Sequence, residues 1–119
     1  RRRQECNYLQ AMESGIDSVH LSYLHRGDLR RDPLHTGSRG ATFAANTDDV
    51  FEVVETDGGM IIGVRRSADP GFYYWRITQW IMPFFTMIPP YGDNALNGHA
   101  WVPVDDDNSM VYNWMYSYG

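Results

Sequence analysis

The second half of the chain is a series of short β-type runs separated by turn-forming residues, and this pattern restricts the possible folds more than any other feature. The run 50–56 is rich in β-branched residues and is followed by the turn 57–59, Asp-Gly-Gly, and by a second run, 60–66. Two such runs around a tight glycine turn predict a hairpin. Three further runs follow: 72–80, 99–104 and 110–118. Short strands joined by turns predict an antiparallel sheet.

One helical segment precedes the strands. Between Glu5 and His25, apolar residues recur three or four positions apart, which places them on one stripe of a helix. Gly15 can divide this helix, and Gly27 is a suitable stop. The stretch from Arg26 to Asp49 has little apolar periodicity and predicts a long connection. The predicted fold class is therefore α+β, with one helix leading into an antiparallel sheet.

Composition excludes several classes of protein. The chain has 119 residues, enough for one domain, and 10 Lys and Arg against 15 Asp and Glu give a net charge of −5. This balance argues against nucleic acid or an anionic membrane as a partner. The most apolar stretch, 80–91, contains three prolines and is too short to cross a bilayer. We expect a soluble, cytoplasmic protein, in which the single Cys6 cannot form an internal disulfide or hold an iron–sulfur cluster alone.

Three residues with metal-binding or proton-transfer chemistry lie close together in the helical segment: Asp17, His20 and His25, in the pattern D-x2-H-x4-H. Asp17 and His20 differ by about 60° around a helix, which is near enough for them to share one environment. His25 is about 140° from His20, so both imidazoles reach one ion only if the helix ends or bulges between them.

Two imidazoles and one carboxylate, with other positions open, form the ligand set of non-haem iron(II) oxygenases. A zinc protease would need H-E-x-x-H, and a zinc finger would need thiolates that one cysteine cannot supply. A histidine taken alone is more often a surface residue or a hydrogen-bonded core residue. The spacing by itself leaves both interpretations open.

The residues around this pattern resemble a known family. Residues 6–13 read C-N-Y-L-Q-A-M-E and lead into the D-x2-H-x4-H pattern. This is similar to the start of the catalytic domain in α-subunits of Rieske non-haem iron oxygenases, and most similar to the phthalate dioxygenase-like subgroup, in which N-W-L-Q-x-x-E precedes the motif. Tyr8 replaces the usual Trp. Residues 98–106, G-H-A-W-V-P-V-D-D, resemble the W-V-P-x-D-D segment of the same subgroup, and 80–89 fits the segment before it.

The resemblance implies a helix-grip catalytic domain and a role for each residue of the motif. His20 and His25 would be two of three protein ligands to a mononuclear Fe(II). Asp17 would be the bridging carboxylate, which links an iron-ligating histidine to a cluster-ligating histidine of the neighbouring subunit's Rieske domain. A carboxylate that accepts an imidazole N–H also fixes the tautomer of the ligand.

The resemblance also implies parts that this sequence lacks. In the family, the third iron ligand is a carboxylate farther downstream, and the Rieske domain with its 2Fe–2S cluster lies upstream. Asp105, Asp106 and Asp107 lie in a predicted turn, where solvated side chains are expected. We therefore expect residues 1–119 to be part of a catalytic domain, inactive alone, with an exposed edge along the aromatic-rich strand 110–118.

The implied reaction is insertion of oxygen from O2 into an aromatic substrate, with electrons from NAD(P)H delivered by a reductase or ferredoxin to a homotrimer. Ring dioxygenation is the first expectation, and O-demethylation or another monooxygenation is the alternative within the family. An alternative from another class is a non-catalytic module that carries a hydrophobic ligand on a helix and a curved sheet.

Further residues permit two interpretations each. The aromatic residues either line an apolar cavity or pack in the core. They are Trp75, Trp80, Phe84, Phe85, Trp101 and Trp114. Arg76 and Arg39 can bind a substrate carboxylate through two hydrogen bonds, but arginines more often face solvent. His99, on a predicted strand, is expected to be structural.

Overall fold

Seven antiparallel strands form one sheet in the order β1-β7-β6-β5-β4-β3-β2, in a computed structural model that describes residues 1–25, 45–90 and 96–117. Among residues 1–25, two short helices follow β1 and pack on one face of this sheet. The elements are β1 Arg2–Gln4, α1 Tyr8–Ile16, α2 His20–Tyr23, β2 Val50–Thr56, β3 Gly59–Ser67, β4 Tyr73–Ile81, β5 Phe85–Ile88, β6 Leu96–Pro103 and β7 Ser109–Tyr116. The predicted α+β class is confirmed.

The predicted hairpin is present as β2 and β3, with Val53 opposite Ile62 and Thr56 opposite Gly59. Gly59 has a φ of +147°, and a Cβ there would lie 2.0 Å from the carbonyl oxygen of Trp80 on the neighbouring strand. Only glycine fits this turn. The other three predicted runs correspond to β4, β6 and β7. The short strand β5 was not predicted, because prolines flank it.

The predicted single helix is divided in two, which corrects the sequence interpretation. The break lies between Ile16 and His20, and Gly15 is inside α1. A Cβ at Gly15 would lie 2.8 Å from Cζ2 of Trp101 on β6. Glycine therefore allows α1 to approach the sheet closely. Gly15 does not cause the break, because it lies inside α1.

The N-terminal residues form a strand that was not predicted. β1 pairs with the first part of β7, with Arg2 opposite Val111 and Gln4 opposite Ser109. The exposed edge expected along 110–118 is therefore partly covered. In the described part of the chain, 112–116 has a neighbouring strand only on the β6 side.

Each helix has its own apolar attachment to the inner face of the sheet. Ala11 and Met12 of α1 pack with Trp101 and Val111, and Leu21 of α2 packs with Val64. Between these clusters the inner face is polar, because β4, β5 and β6 direct hydrophilic side chains toward the helices. They are Arg76, Thr78, Thr86 and His99. The two apolar clusters are separated by this polar part of the sheet, and a pocket can form between them.

The opposite face of the sheet is exposed and apolar along β4, where Trp75, Ile77 and Ile81 are 41%, 48% and 41% exposed. Trp75 therefore belongs neither to the core nor to the pocket side. None of the helices in residues 1–25, 45–90 and 96–117 has the length and apolar character needed to cross a membrane.

Candidate metal centre

Asp17 causes the break between the two helices. Its backbone N–H still donates to the Glu13 carbonyl at 3.1 Å, but its Oδ1 accepts the backbone N–H of Val19 at 2.7 Å. This local side-chain bond competes with continuation of the helix. The two residues do not lie on one continuous helix, because Asp17 is the C-cap residue of α1 and His20 begins α2. The turn nevertheless brings Asp17 Oδ2 to 3.7 Å from Nδ1 of His20.

His20 and His25 come together because α2 is short. The helix ends at Tyr23, so the condition for both imidazoles to reach one ion is met. The ring centroids are 5.4 Å apart, and the ring planes are inclined at 71°. With metal–imidazole bonds of about 2.1 Å, two rings on one ion have centroids roughly 4.5 to 5.3 Å apart. The observed separation fits a shared ion after a small movement.

The position of Asp17 distinguishes the two ring nitrogens of His20. Nδ1 of His20 is buried and has no hydrogen-bond partner among the described residues, and the nearest acidic oxygen is that of Asp17. A carboxylate beside Nδ1 favours a proton on that nitrogen and leaves Nε2 as the ligand atom. Residues 1–25, 45–90 and 96–117 contain no group of three His, Cys, Asp or Glu side chains placed to hold one ion. Asp17 therefore lies beside His20 without completing a group of three with the two imidazoles.

A pocket of about 640 Å³ lies between the helices and the sheet, and Asp17, His20 and His25 line one side of it. Sites for small organic ligands have volumes of about 300 to 1,000 Å³. Trp101 contributes an apolar ring to the other side, and Trp114 is also among the lining residues. Trp114 lies opposite Gly98 in the register and its ring lies 6.1 Å from that of Phe85, so this ring lies on the other face of the sheet from Trp101. Of the aromatic residues considered above, Trp101 thus faces the pocket, whereas Trp80 and Phe84 pack against the α1 core cluster.

The sheet side of the pocket also carries polar groups. Arg76 is 4% exposed and lies on this wall, so the expectation that it faces solvent was wrong. Arg39 lies outside the described residues. The three aspartates of the 105–107 turn are exposed, as expected, and the hydrogen bond from Asn108 lowers the pKa of Asp105.

Two further residues of this wall are His99, for which the sequence predicted a structural role, and Asn113, which the sequence analysis did not select. They are cross-strand partners on β6 and β7, and both line the pocket. Burial lowers the pKa of His99, so its imidazole is neutral at neutral pH. Its ring lies 5.0 Å from that of Trp101, and its Nδ1 is buried with no hydrogen-bond partner in the described part of the chain. Strand alternation, which puts residues 99 and 101 on one face, was the available signal.

Comparison with known proteins adds independent information. The family described as "LigXa C-terminal domain like" matches residues 1–118. The 3-chlorobenzoate-3,4-dioxygenase oxygenase subunit of Comamonas testosteroni is 30% identical over 92% of this chain, and the phthalate 4,5-dioxygenase oxygenase subunit of Pseudomonas putida is 32% identical over 90%. The tert-butanol monooxygenase / tert-amyl alcohol desaturase oxygenase subunit of Aquincola tertiaricarbonis is 25% identical over 94%. The chain spans 26% of the length of each of these relatives.

Proposed function

This chain belongs to the LigXa C-terminal domain-like family, and on that premise we propose that it forms part of an oxygenase subunit that inserts oxygen from O2 into a carboxylated aromatic substrate at a mononuclear non-haem Fe(II). The similarity to phthalate dioxygenase-like oxygenases, first seen in residues 6–25 and 98–106, is confirmed by the relatives. They are oxygenase subunits by name.

One observation carries the proposal: two imidazole rings, 5.4 Å apart, lie on a pocket large enough for an aromatic ring, and a carboxylate lies beside one of them. His20 through Nε2 and His25 would hold the ion, and Asp17 would keep the proton of His20 on Nδ1. Bound there, Fe(II) would supply the activation of O2. The protein would contribute ligands, substrate orientation and exclusion of water.

The pocket walls support an aromatic acid as the substrate. Trp101 offers a ring against which an aromatic substrate can pack. The buried guanidinium of Arg76 is suited to a carboxylate, which it can bind through two parallel hydrogen bonds. His99 and Asn113 can donate or accept a hydrogen bond at a neutral polar group of the substrate. Two of the relatives are named for aromatic acids, chlorobenzoate and phthalate.

Electrons would reach the iron from outside this chain. The side chain of Asp17 is 45% exposed, so it can face His20 and a neighbouring subunit at the same time. By family resemblance, that subunit would bring the 2Fe–2S cluster of its Rieske domain to Asp17 in a homotrimer. A reductase or ferredoxin would deliver the electrons from NAD(P)H.

A second candidate function within the family is monooxygenation, including O-demethylation. The relative from Aquincola tertiaricarbonis favours this candidate, because its name includes a monooxygenase, an enzyme that transfers one oxygen atom to its substrate. Product analysis with ¹⁸O2 distinguishes these reactions. A dioxygenase leaves two labelled oxygens in the aromatic product and a ring monooxygenase leaves one, whereas O-demethylation leaves none there, because the labelled oxygen departs with formaldehyde.

The proposed metal centre is tested by measuring mononuclear iron in the intact protein after His20→Ala and His25→Ala. Each substitution removes one of the two imidazoles, so we expect each to release the iron while any cluster spectrum stays unchanged. His99→Ala is the matched control, because it removes an imidazole from the same pocket that is not a proposed ligand. Full iron content in both ligand variants would refute the metal centre and favour a non-catalytic carrier of hydrophobic ligands.

A further inference from the structure

The helix that begins with His20 is too short to determine its own orientation. α2 has four residues, and helices of this length are unstable without tertiary contacts. The direction of the His20 ring therefore depends on how its neighbours are held. Ser18, Leu21 and Ser22 are all buried, at 2%, 4% and 3% exposure, and these three residues anchor the turn and α2.

The three anchors differ in chemistry. Leu21 packs against Val64 of β3, and the Ser18 hydroxyl lies 3.4 Å from that of Thr78. Apolar packing has no preferred direction. Ser22, in contrast, accepts a hydrogen bond from the guanidinium of Arg66, and hydrogen bonds with charged donors are both strong and directional.

Arg66 joins three separate segments of the chain. It lies on β3 and is 1% exposed. Its Nη1 donates to the Ser22 hydroxyl of α2 and to the Asn46 carbonyl, and its Nε forms an ion pair with the carboxylate of Asp49. The Ser22 hydroxyl in turn donates to the same Asn46 carbonyl at 3.2 Å. One planar cation thus ties α2, β3 and the segment before β2 together.

The burial of the Arg66 guanidinium indicates that it orients its hydrogen-bond partners. A buried ion pair adds little net stability, because desolvation of both charges offsets their attraction. The fixed fork of a guanidinium, however, sets the angles between its acceptors, which the flexible ammonium of lysine does not. We infer that Arg66 is a positioning residue of the metal centre: by holding Ser22 it fixes α2, and with it the direction of the His20 imidazole toward His25. This inference rests on the proposed function.

The test compares Ser22→Ala and Arg66→Lys with the control Val111→Ala in the intact protein. Ser22→Ala removes only the hydroxyl, and Arg66→Lys keeps the charge but loses the fork. Val111 belongs to the core cluster beside α1, so its truncation lowers global stability without touching α2. Two quantities are measured: Co(II) affinity by spectroscopic titration, and hydrogen exchange of the Ser22 and Leu24 amides, which bond to Val19 and His20, in the metal-free protein.

We expect both α2 variants to weaken Co(II) binding at least fivefold and to speed exchange of these two amides at least tenfold relative to amides of β6. In Val111→Ala we expect neither change. Unchanged affinity and exchange in Ser22→Ala and Arg66→Lys, in a protein that binds Co(II), would overturn the inference alone. If the unsubstituted protein bound no Co(II), the proposed function would be overturned and the inference with it.

Discussion

Substitution of Gly15 by alanine tests the close approach of α1 to the pocket wall. In a solvent-facing helix position this change stabilises a protein by up to about 1 kcal/mol. Here the added Cβ would lie 2.8 Å from Cζ2 of Trp101 and 3.3 Å from Oγ1 of Thr86. These two neighbours are themselves joined by a buried hydrogen bond of 2.9 Å, from Nε1 of Trp101 to the Thr86 hydroxyl, so neither moves freely. Overpacking of this kind costs about 1 to 3 kcal/mol, and it exceeds the gain in helix propensity.

We therefore expect Gly15→Ala to destabilise the protein by about 1 kcal/mol, measured as the free energy of unfolding in urea. Gly58→Ala is the matched control, because a Cβ at Gly58 meets nothing within 4 Å. We expect that control to stay within about 0.5 kcal/mol of the unsubstituted protein. Stabilisation by Gly15→Ala would show that α1 does not lie against Trp101 as described.

Two predictions concern the proposed chemistry. Asp17→Asn keeps the shape of the side chain but removes its charge, so iron should largely remain while electron transfer from a reduced cluster, followed by stopped-flow absorption, falls sharply; normal turnover would contradict the bridging role. Arg76→Lys loses one of two hydrogen bonds to a substrate carboxylate, which at about 1.5 to 3 kcal/mol lowers kcat/KM roughly 10- to 150-fold for an aromatic acid. The matching aromatic amide should be affected much less, and equal losses for acid and amide would show that Arg76 does not bind the carboxylate.

The fold was predictable where its signals are local. The turn at 57–59 and the β-branched runs around it determine the β2–β3 hairpin, because glycine there meets a steric demand of the backbone. β1 was not predictable, since a three-residue strand forms only through its long-range pairing with β7. The division of the helix was also missed, because apolar periodicity continues past Asp17. Periodicity carries no information about a carboxylate that ends a helix by accepting the backbone N–H two residues ahead.

The residues of the candidate site also differ in whether a local sequence pattern could identify them. Asp17, His20 and His25 lie within nine residues of sequence, so their spacing was sufficient to select them. Arg76, His99 and Asn113 come from three different strands, and only the register of the sheet brings them to one pocket. Arg66 and Ser22 meet across 44 positions of sequence, which no local pattern reveals.

The central claim is that His20 and His25 hold one metal ion beside the pocket. Anomalous diffraction at the iron absorption edge, from crystals of the iron-loaded protein, tests it most directly. We predict a peak about 2.1 Å from one ring nitrogen of His20 and one of His25, separate from any cluster iron, with Asp17 beyond bonding distance of the ion. A peak bonded to neither imidazole, or bonded directly to the Asp17 carboxylate, would contradict the account.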